Sequence, residues 1–208
     1  MKKIALINVG FGNISSVINS LNRIEIKSQK ISSGQELLNY GPSHIIMPGV
    51  GAVGQAMKKL KDNNFIEPLD YFVNKKKTFF CGICVGMQVL SSYSDEFGIN
   101  KCLGWIPGKV ELLSSNGLSL PHMGWNTLKK KNSSVLLNNL YEKDMYFCHS
   151  YALKCENKYI TAETEYGKKF VSSVNKENIF GIQCHPEKSL GLGDIFFNNF
   201  YNLGESHI

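Results

Sequence analysis

Short apolar runs alternate with amphipathic stretches through the first half of the chain. Residues 4–9 are almost wholly apolar and predict a buried strand, whereas residues 13–24 carry apolar side chains at helical spacing. The strands predicted in this half cover residues 4–9, 26–31, 44–47 and 78–81, and the helices cover residues 13–24, 35–40, 52–60 and 65–74. This alternation predicts a parallel sheet with helices on both faces.

The second half changes to short strand-like runs separated by polar turns, which favour antiparallel hairpins. They cover residues 109–113, 123–128, 144–150, 159–163, 169–174 and 179–183, and a terminal helix covers residues 192–203. The predicted fold is of the α/β class, with a mostly parallel central sheet, helices on both faces and antiparallel strands in the C-terminal half. With 208 residues, 43% of them hydrophobic, and no evident linker, residues 1–208 are expected to form one domain.

Cys84 lies where a predicted strand gives way to a predicted helix. The buried run at residues 77–81 ends just before it, and residues 85–90 have the pattern of a helix start. Gly82 and Gly86 flank the cysteine, as a tight strand-to-helix elbow requires, because a side chain there would collide with packed backbone. Such an elbow holds the sulfur at a helix N-terminus, where the dipole and free N–H groups favour a thiolate. Cys84 is therefore a candidate nucleophile.

Other interpretations of Cys84 stay open at this point. A free cysteine is commonly a small buried apolar residue. Cys81 and Cys84 also form a C-x-x-C motif, as found in dithiol redox proteins and zinc sites. A zinc site needs a second ligand pair, and the adjacent Cys184 and His185 would point opposite ways on a strand. A redox pair normally exposes its first cysteine, whereas here the second one carries the flanking glycines.

Charge and composition exclude several classes of partner. The net charge of +6 comes from lysines, since Arg23 is the one arginine, and short clusters such as residues 75–77 and 129–131 lack interleaved aromatic side chains. This pattern is typical of solvated surfaces rather than nucleic-acid sites. No run approaches the ~18 apolar residues of a membrane span, and the N-terminal run is too short for a signal peptide. Six cysteines in a chain of this size fit a reducing compartment, so a cytoplasmic protein is expected.

Two further segments would meet Cys84 at the carboxyl ends of the parallel strands, where open sheets bind ligands. The loop at residues 48–52 contains Gly49 and Gly51, and its exposed N–H groups make a candidate oxyanion hole, although taken alone it would more simply be a turn. His185 and Glu187 follow the strand at residues 179–183. On an extended segment both side chains face the same way, so the carboxylate can orient the imidazole.

Five motifs together resemble the class I, triad-type glutamine amidotransferases. They are PGVGA at residues 48–52, GICVGMQ at 82–88, PHMGWN at 121–126, HSY at 149–151 and QCHPEKS at 183–189. The motifs at 48–52, 121–126 and 149–151 resemble those of the glutaminase subunits of imidazole glycerol phosphate synthase in particular. The likeness covers essentially the whole chain and implies an enzyme that hydrolyses L-glutamine to glutamate and ammonia.

The resemblance also implies roles for individual residues. Cys84 would attack the glutamine carboxamide, and His185, oriented by Glu187, would protonate the leaving amine and then activate water. The oxyanion would be held by backbone N–H groups of Gly49, Val50 and Val85, and glutamine would be bound by Gly51, Gln88, His149, Ser150 and Tyr151. His122 and His149 also suit a packed structural role, and neither is predicted to be catalytic. No metal or other cofactor is implied.

The resemblance further implies a partner, because the chain contains no phosphate-cradling Gly-x-x-x-x-Gly-Lys loop and no acceptor domain is recognisable in it. In the family that partner is a (β/α)8 barrel cyclase, and Asn13, Trp125 and Lys188 match partner-facing positions. Cys148 and Cys184 stand where larger or branched apolar residues are expected.

Two pathways remain open. One is histidine biosynthesis, in which the synthase makes imidazole glycerol phosphate and AICAR. The other is amidino-sugar synthesis for surface polysaccharide, whose enzymes weakly resemble this chain at residues 104–108 and 164–167. A non-catalytic binding subunit is a third alternative, against which the intact Cys84, His185 and Glu187 argue.

Overall fold

The computed structural model of the protein describes residues 2–10 and 12–204. The strands are β1 (Ile4–Ile7), β2 (Ser28–Ile31), β3 (His44–Gly49), β4 (Phe79–Cys84), β5 (Tyr93–Ser94), β6 (Asn100–Lys101), β7 (Gly108–Leu112), β8 (His122–Thr127), β9 (Lys129–Lys130), β10 (Asp144–His149), β11 (Tyr151–Cys155), β12 (Ile160–Tyr166), β13 (Lys168–Lys176) and β14 (Ile179–Ile182). The α-helices are α1 (Ile14–Arg23), α2 (Gly34–Tyr40), α3 (Val53–Asp62), α4 (Ile66–Asp70), α5 (Val85–Gln88) and α6 (Gly191–Tyr201). Within the described residues, no helix is both long and apolar enough to cross a membrane. The predicted domain span of 1–208 includes residues 1, 11 and 205–208, which lie outside the described residues.

Eight strands form the central sheet, in the order β2-β1-β3-β4-β14-β13-β12-β9. The first five in this order run parallel to one another, and β13, β12 and β9 extend the sheet in antiparallel fashion. The chain moves outward from β1 to β2 and then back past β1 to β3, so right-handed crossovers place α1 and α2 on opposite faces. The predicted α/β class with a mostly parallel sheet is confirmed.

Two helices in the first half differ from the predicted ones. The helix predicted at 65–74 divides into α4 and a π-helical turn, Tyr71–Lys75, in which Lys76 N–H donates to the Tyr71 carbonyl. The helix predicted from residue 85 to residue 90 stops after one turn. The carbonyls of Val89 and Leu90 instead accept hydrogen bonds from the backbone N–H groups of residues 103 and 106, so the helical ladder cannot continue.

The second half is antiparallel, and the prediction of hairpins is confirmed for two of its pairs. β12, β13 and β14 follow one another as two hairpins, whereas β7 pairs with β11 and β8 with β10, each across other elements. β14 pairs antiparallel to β13 on one side and parallel to β4 on the other. The small strands β5, β6, β9 and β11 were not predicted, because two-residue strands carry no periodicity and β11 shows little alternation of its own.

Candidate active site

Cys84 joins β4 to α5 in a strained backbone conformation. Its φ of +54° and ψ of −109° lie in a region that residues other than glycine rarely adopt. A Cβ atom on Gly82 would lie 2.1 Å from the Gly86 carbonyl oxygen, and one on Gly86 would lie 1.9 Å from the Met47 carbonyl oxygen. The predicted need for residues without side chains around the elbow is therefore confirmed.

Cys84 is the N-cap of α5, so it lies at a helix N-terminus as predicted, but α5 is a single turn and aligns few peptide dipoles. The sulfur is instead surrounded by side chains and one carbonyl. The amide nitrogen of Gln183 lies 3.5 Å from it, the Cys148 carbonyl oxygen lies 4.0 Å from it, and His185 lines the same cavity. Of these neighbours, Gln183 and His185 can donate to a thiolate, whereas the Cys148 carbonyl can only accept from a thiol.

Cys81, the other half of the C-x-x-C motif, is wholly buried. Burial raises the pKa of its thiol far above the ordinary value, so a thiolate at Cys81 is strongly disfavoured. Both features argue against a dithiol redox pair, which needs an accessible thiolate.

His185 and Glu187 meet directly beside Cys84. The His185 Nδ1 atom lies 2.8 Å from the Glu187 Oε1 atom, and the two side chains are only 2% and 1% exposed. Their segment is a 3-10 turn, Pro186–Lys188, and not the extended segment that was predicted. Pro186 favours this turn by fixing φ at its first position. The predicted contact is thus present through a different backbone geometry.

The charge of His185 follows from its two partners. Burial alone would lower its pKa, but the hydrogen bonds with Cys84 and Glu187 outweigh burial and raise that pKa to about 10. An imidazolium ion is therefore favoured between the sulfur and the carboxylate at neutral pH. Chemically, such a row can stabilise a thiolate and deliver a proton to a leaving group.

His149 and His122 form a second, neutral array. The Tyr151 carbonyl can only accept, so the His149 Nδ1 atom, 2.9 Å away, carries a proton. The His149 Nε2 atom then accepts from His122 Nδ1 at 3.1 Å, and His122 Nε2 accepts from the Asn126 amide at 3.2 Å. Burial lowers the pKa of His122 to about 4 and that of His149 to about 3. Both rings are packed and hydrogen-bonded, as the structural interpretation predicts.

Gln88 is buried behind the nucleophile with its amide nitrogen already engaged. That nitrogen donates to the Tyr151 carbonyl at 2.8 Å and to the Gln183 Oε1 atom at 3.0 Å. Both of its N–H bonds are thus used, which leaves the Gln88 Oε1 atom as the group that can contact a substrate.

The candidate oxyanion loop lies directly alongside the elbow. Gly49 pairs with Cys84 in the register of β3 and β4, and a Cβ atom on Gly49 would lie 2.9 Å from the Val85 Cβ atom. Val50 is 38% exposed at the end of the strand, and Gly51 has a φ of +86°, which favours glycine. Val50 and Gly51 of this loop and Val85 therefore border the same cavity as Cys84.

One cavity of about 520 Å³ collects most of the predicted site residues, a volume suited to a small ligand. Its walls include Val50, Gly51, Cys84, Val85, Gln88, His149, Ser150, Tyr151, His185 and Lys188. Gly49 and Glu187 stand behind Cys84 and His185, whereas Asn13 and Trp125 do not line this cavity. The geometry brings a nucleophile, a proton donor and an orienting carboxylate to one concave site.

Comparison with known proteins identifies the family. The family model for class-I glutamine amidotransferases matches residues 5–203. The chain belongs to the class-I glutamine amidotransferases. Imidazole glycerol phosphate synthase subunit HisH 2 of Vibrio vulnificus is 42% identical over 213 residues, which cover 99% of each chain. Subunit HisH of Bdellovibrio bacteriovorus is 40% identical over 207 residues, covering 96% of this chain and 100% of its own. The predicted resemblance to these glutaminase subunits is confirmed.

The fold of this amidotransferase also matches a crystal structure described as a glutamine amidotransferase. The TM-score is 0.75, and the match covers 96% of this chain and 97% of the other. Sequence identity is only 16%, so this likeness speaks for the fold alone.

The three positions predicted to face a partner differ in their surroundings. Trp125 is 50% exposed, and its ring stacks edge-on against Tyr146, whose face also carries the Lys188 ammonium at 5.5 Å from the ring centre. These residues form a rim beside the cavity of the amidotransferase. Asn13 is exposed and caps α1 by accepting from the Ser16 N–H, so it already has a structural task.

Sequence reasoning missed Glu96, which lines the cavity from the turn after β5. Its Oε2 atom accepts from the Val53 N–H at the start of α3, at 2.8 Å, and burial raises its pKa. It is the one acidic side chain among the residues that line this cavity. No motif surrounds it, and only its place in the wall of this cavity reveals it.

Proposed function

We propose that this chain is the glutaminase subunit of an imidazole glycerol phosphate synthase in histidine biosynthesis, which hydrolyses L-glutamine and passes the ammonia to a cyclase subunit. One observation carries the proposal: a chain about 40% identical to HisH subunits over its full length holds Cys84, His185 and Glu187 in a row at one cavity.

The first half of the reaction forms a thioester. The Cys84 thiolate attacks the side-chain carbonyl carbon of glutamine, a C–S bond forms, and negative charge moves to the carbonyl oxygen. Backbone N–H groups of Gly49, Val50 and Val85 would hold that oxygen. His185 gives its proton to the amide nitrogen, the C–N bond breaks, and ammonia leaves.

The second half releases glutamate. The now neutral His185 takes a proton from water as the water oxygen attacks the thioester carbon. The C–S bond breaks, which restores the thiolate and the imidazolium. Glu187 keeps the His185 ring in one orientation throughout, because its Oε1 atom lies 2.8 Å from Nδ1.

The cavity walls suit the other groups of glutamine. The Gln88 Oε1 atom is placed to accept from the carboxamide nitrogen, since its own amide nitrogen is engaged elsewhere. Glu96 offers the negative charge that an α-ammonium group needs. Gly51 and the backbone of His149, Ser150 and Tyr151 would complete the site, and the engaged ring nitrogens of His149 make its side chain a support rather than a ligand.

A cyclase of the (β/α)8 barrel type is the proposed partner, and residues 1–208 are proposed to act as one domain in the cytoplasm. The exposed rim of Trp125, Tyr146 and Lys188 beside the cavity supports docking at this mouth, through which ammonia would leave. Asn13 is proposed to contribute from the start of α1.

The deciding experiment compares glutamate release by the chain alone, with its cyclase, and with the cyclase plus bound acceptor. We expect little activity alone and an increase of about 10²–10³ in the loaded complex, since turning one N–H of the Gly49–Val50 loop into the oxyanion hole has that effect. Imidazole glycerol phosphate should form only in the complex. Equal rates in all three samples would contradict this gating, and no glutamate in any of them would identify a non-catalytic subunit.

A second acceptor is tested in the same way. The Vibrio relative bears the name subunit HisH 2, and this chain weakly resembles the enzymes of amidino-sugar synthesis at residues 104–108 and 164–167. If a cyclase of amidino-sugar synthesis activates this chain and the histidine-pathway cyclase does not, the glutaminase chemistry stands and the pathway changes.

A further inference from the structure

Gln183 is a buried polar side chain that touches the nucleophile, and the glutaminase chemistry leaves it without a task. β14 runs parallel to β4 with Ile182 opposite Ile83, so Cys84, at the end of β4, and Gln183, just after β14, are the next residues. The side chain is 0% exposed, and its Nε2 atom lies 3.5 Å from the Cys84 sulfur. This separation is within the range of hydrogen bonds to sulfur.

The orientation of the Gln183 amide is fixed by its neighbours. The Tyr151 carbonyl can only accept, so the Gln88 group that faces it at 2.8 Å must be the amide nitrogen. The same nitrogen lies 3.0 Å from Gln183, which must therefore present its oxygen there. The Gln183 nitrogen is then left to point at the sulfur. The Tyr151 carbonyl thus fixes the orientation of the Gln88 amide, which in turn fixes that of the Gln183 amide, so that Cys84 faces a hydrogen-bond donor.

We propose that Gln183 is a hydrogen-bond donor to the Cys84 thiolate and that Gln88 sets the orientation of the Gln183 amide. The proposal rests on the proposed function only in that this thiolate is the nucleophile of glutamine hydrolysis. The donor adds to the limited support that α5 can give a negative sulfur, because that helix is a single turn.

The bond favours one protonation state of sulfur over the other. A thiolate is a strong acceptor of an N–H bond in a buried site, whereas a thiol is a weak one. The other titratable groups around the sulfur are His185, which bonds it, Glu187 behind His185, and the thiols of Cys184 and Cys81, whose pKa values are raised by burial. His149 faces His185 as a neutral ring. Of these groups, only the charged form of His185 can also donate to the sulfur.

The test measures the rate at which iodoacetamide alkylates Cys84 as a function of pH, with peptide mass spectrometry to separate Cys84 from the partly exposed Cys148. Gln183→Met removes the donor but keeps a side chain of similar length. The midpoint of the alkylation profile should then move up by about one pH unit, so alkylation at neutral pH should slow about tenfold. Gln183→Glu should move it further, because it adds a negative charge. In the cyclase complex, kcat for glutamine should fall about tenfold and recover at higher pH, with KM changed less.

Asn178→Asp is the matched control. Asn178 is also a buried amide, and it donates to two carbonyls, those of Val73 and Thr78, at the opposite end of β4 from the sulfur. The variant should lose stability without moving the alkylation profile. An unmoved profile in both folded Gln183 variants, or an equal shift in Asn178→Asp, would overturn the proposal. Alkylation needs no glutamine turnover, so a wild-type chain without glutaminase activity would contradict the proposed function and leave this test in force.

Discussion

Two buried histidine arrays face the same cavity and favour opposite charges. His185 contacts the Glu187 carboxylate, and its pKa is raised to about 10. His122 and His149 contact each other, an amide and a carbonyl, and their pKa values are lowered to about 4 and about 3. The three residues are 2%, 2% and 6% exposed, so burial is common to both arrays. What differs is a carboxylate and a thiol at one of them.

The difference separates proton transfer from support. An array that holds a proton between a carboxylate and a sulfur can give that proton away and take it back. In the neutral array each ring donates once and accepts once, so an added proton on either ring would set two donors against each other. The neutral array therefore fixes the corner between β10 and β11, where His149, Ser150 and Tyr151 line the cavity.

The largest effect is expected from removing the sulfur that the charged array serves. In Cys84→Ser, glutamine hydrolysis by the cyclase complex should fall about 10⁴-fold or more, because the covalent step needs a thiolate. The fold should persist, as judged by an unchanged circular dichroism spectrum. Glutamate release is the measurement, and Cys81→Ser is the control that should retain activity.

The same variant tests the division of labour between the subunits. With high ammonium salt at elevated pH, the Cys84→Ser complex should still make imidazole glycerol phosphate, because only the source of ammonia has been removed. Undiminished hydrolysis in Cys84→Ser, or complete loss of hydrolysis in Cys81→Ser, would show that Cys84 is not the nucleophile. Failure of external ammonia to restore synthesis would refute the proposed supply.

A smaller effect is expected from changing the carboxylate alone. Glu187→Gln keeps the size of the side chain but removes the charge, so we expect kcat/KM to fall about 10³-fold. The pKa of His185 should fall as well, because the lost hydrogen bond and charge are among the causes that raise it. The basic limb of the pH–rate profile should then move to lower pH. A variant with wild-type rate and profile would show that Cys84 alone charges His185.

The charged array of Cys84, His185 and Glu187 could largely be predicted from the sequence, because each of its parts lies in a short local motif. Cys84 has its flanking glycines, and His185 and Glu187 are two residues apart. The parallel half of the sheet was readable for a similar reason, since its strands are apolar runs separated by amphipathic helices. The length of α5 could not be predicted from the sequence, because it depends on hydrogen bonds to residues 103 and 106.

The neutral array and Glu96 were not readable in the same way. His122 lies 27 residues before His149 and meets it only because β8 pairs with β10, a contact between strands that are not consecutive. Glu96 reaches the cavity through the turn between β5 and β6, two strands too short to carry a pattern. The orientation of the Gln183 amide depends on three segments of the chain at once. Tertiary pairing, which no local window contains, sets all three features.

The smallest effect is expected on stability in acid. There the neutral array should make the largest contribution of the three histidines to the change in stability with pH. Its two folded pKa values lie below the ordinary value of 6.5, so the unfolded chain binds more protons than the folded one between those limits. The stability that this array contributes is present above pH 6.5 and is lost as pH falls toward 4 and 3. From about pH 6.5 to about pH 5 the loss should be roughly 3 kcal/mol for the two rings. His185 acts in the opposite sense and loses its contribution only as pH rises toward 10.

Urea unfolding at several pH values measures this loss, and Asn126→Asp sharpens it by giving the neutral array a carboxylate of its own. The Asn126 amide lies 3.2 Å from His122 Nε2, so an aspartate there should raise the pKa of His122 and favour its charged form. The dependence of stability on pH between about 6.5 and about 5 should then fall by roughly half, whatever the variant costs at neutral pH, because only His149 still takes up a proton on unfolding. Thr127→Val, at the neighbouring position on β8, is the control and should keep the wild-type slope. An unchanged slope in Asn126→Asp would mean that burial, and not the missing carboxylate, keeps the second array neutral.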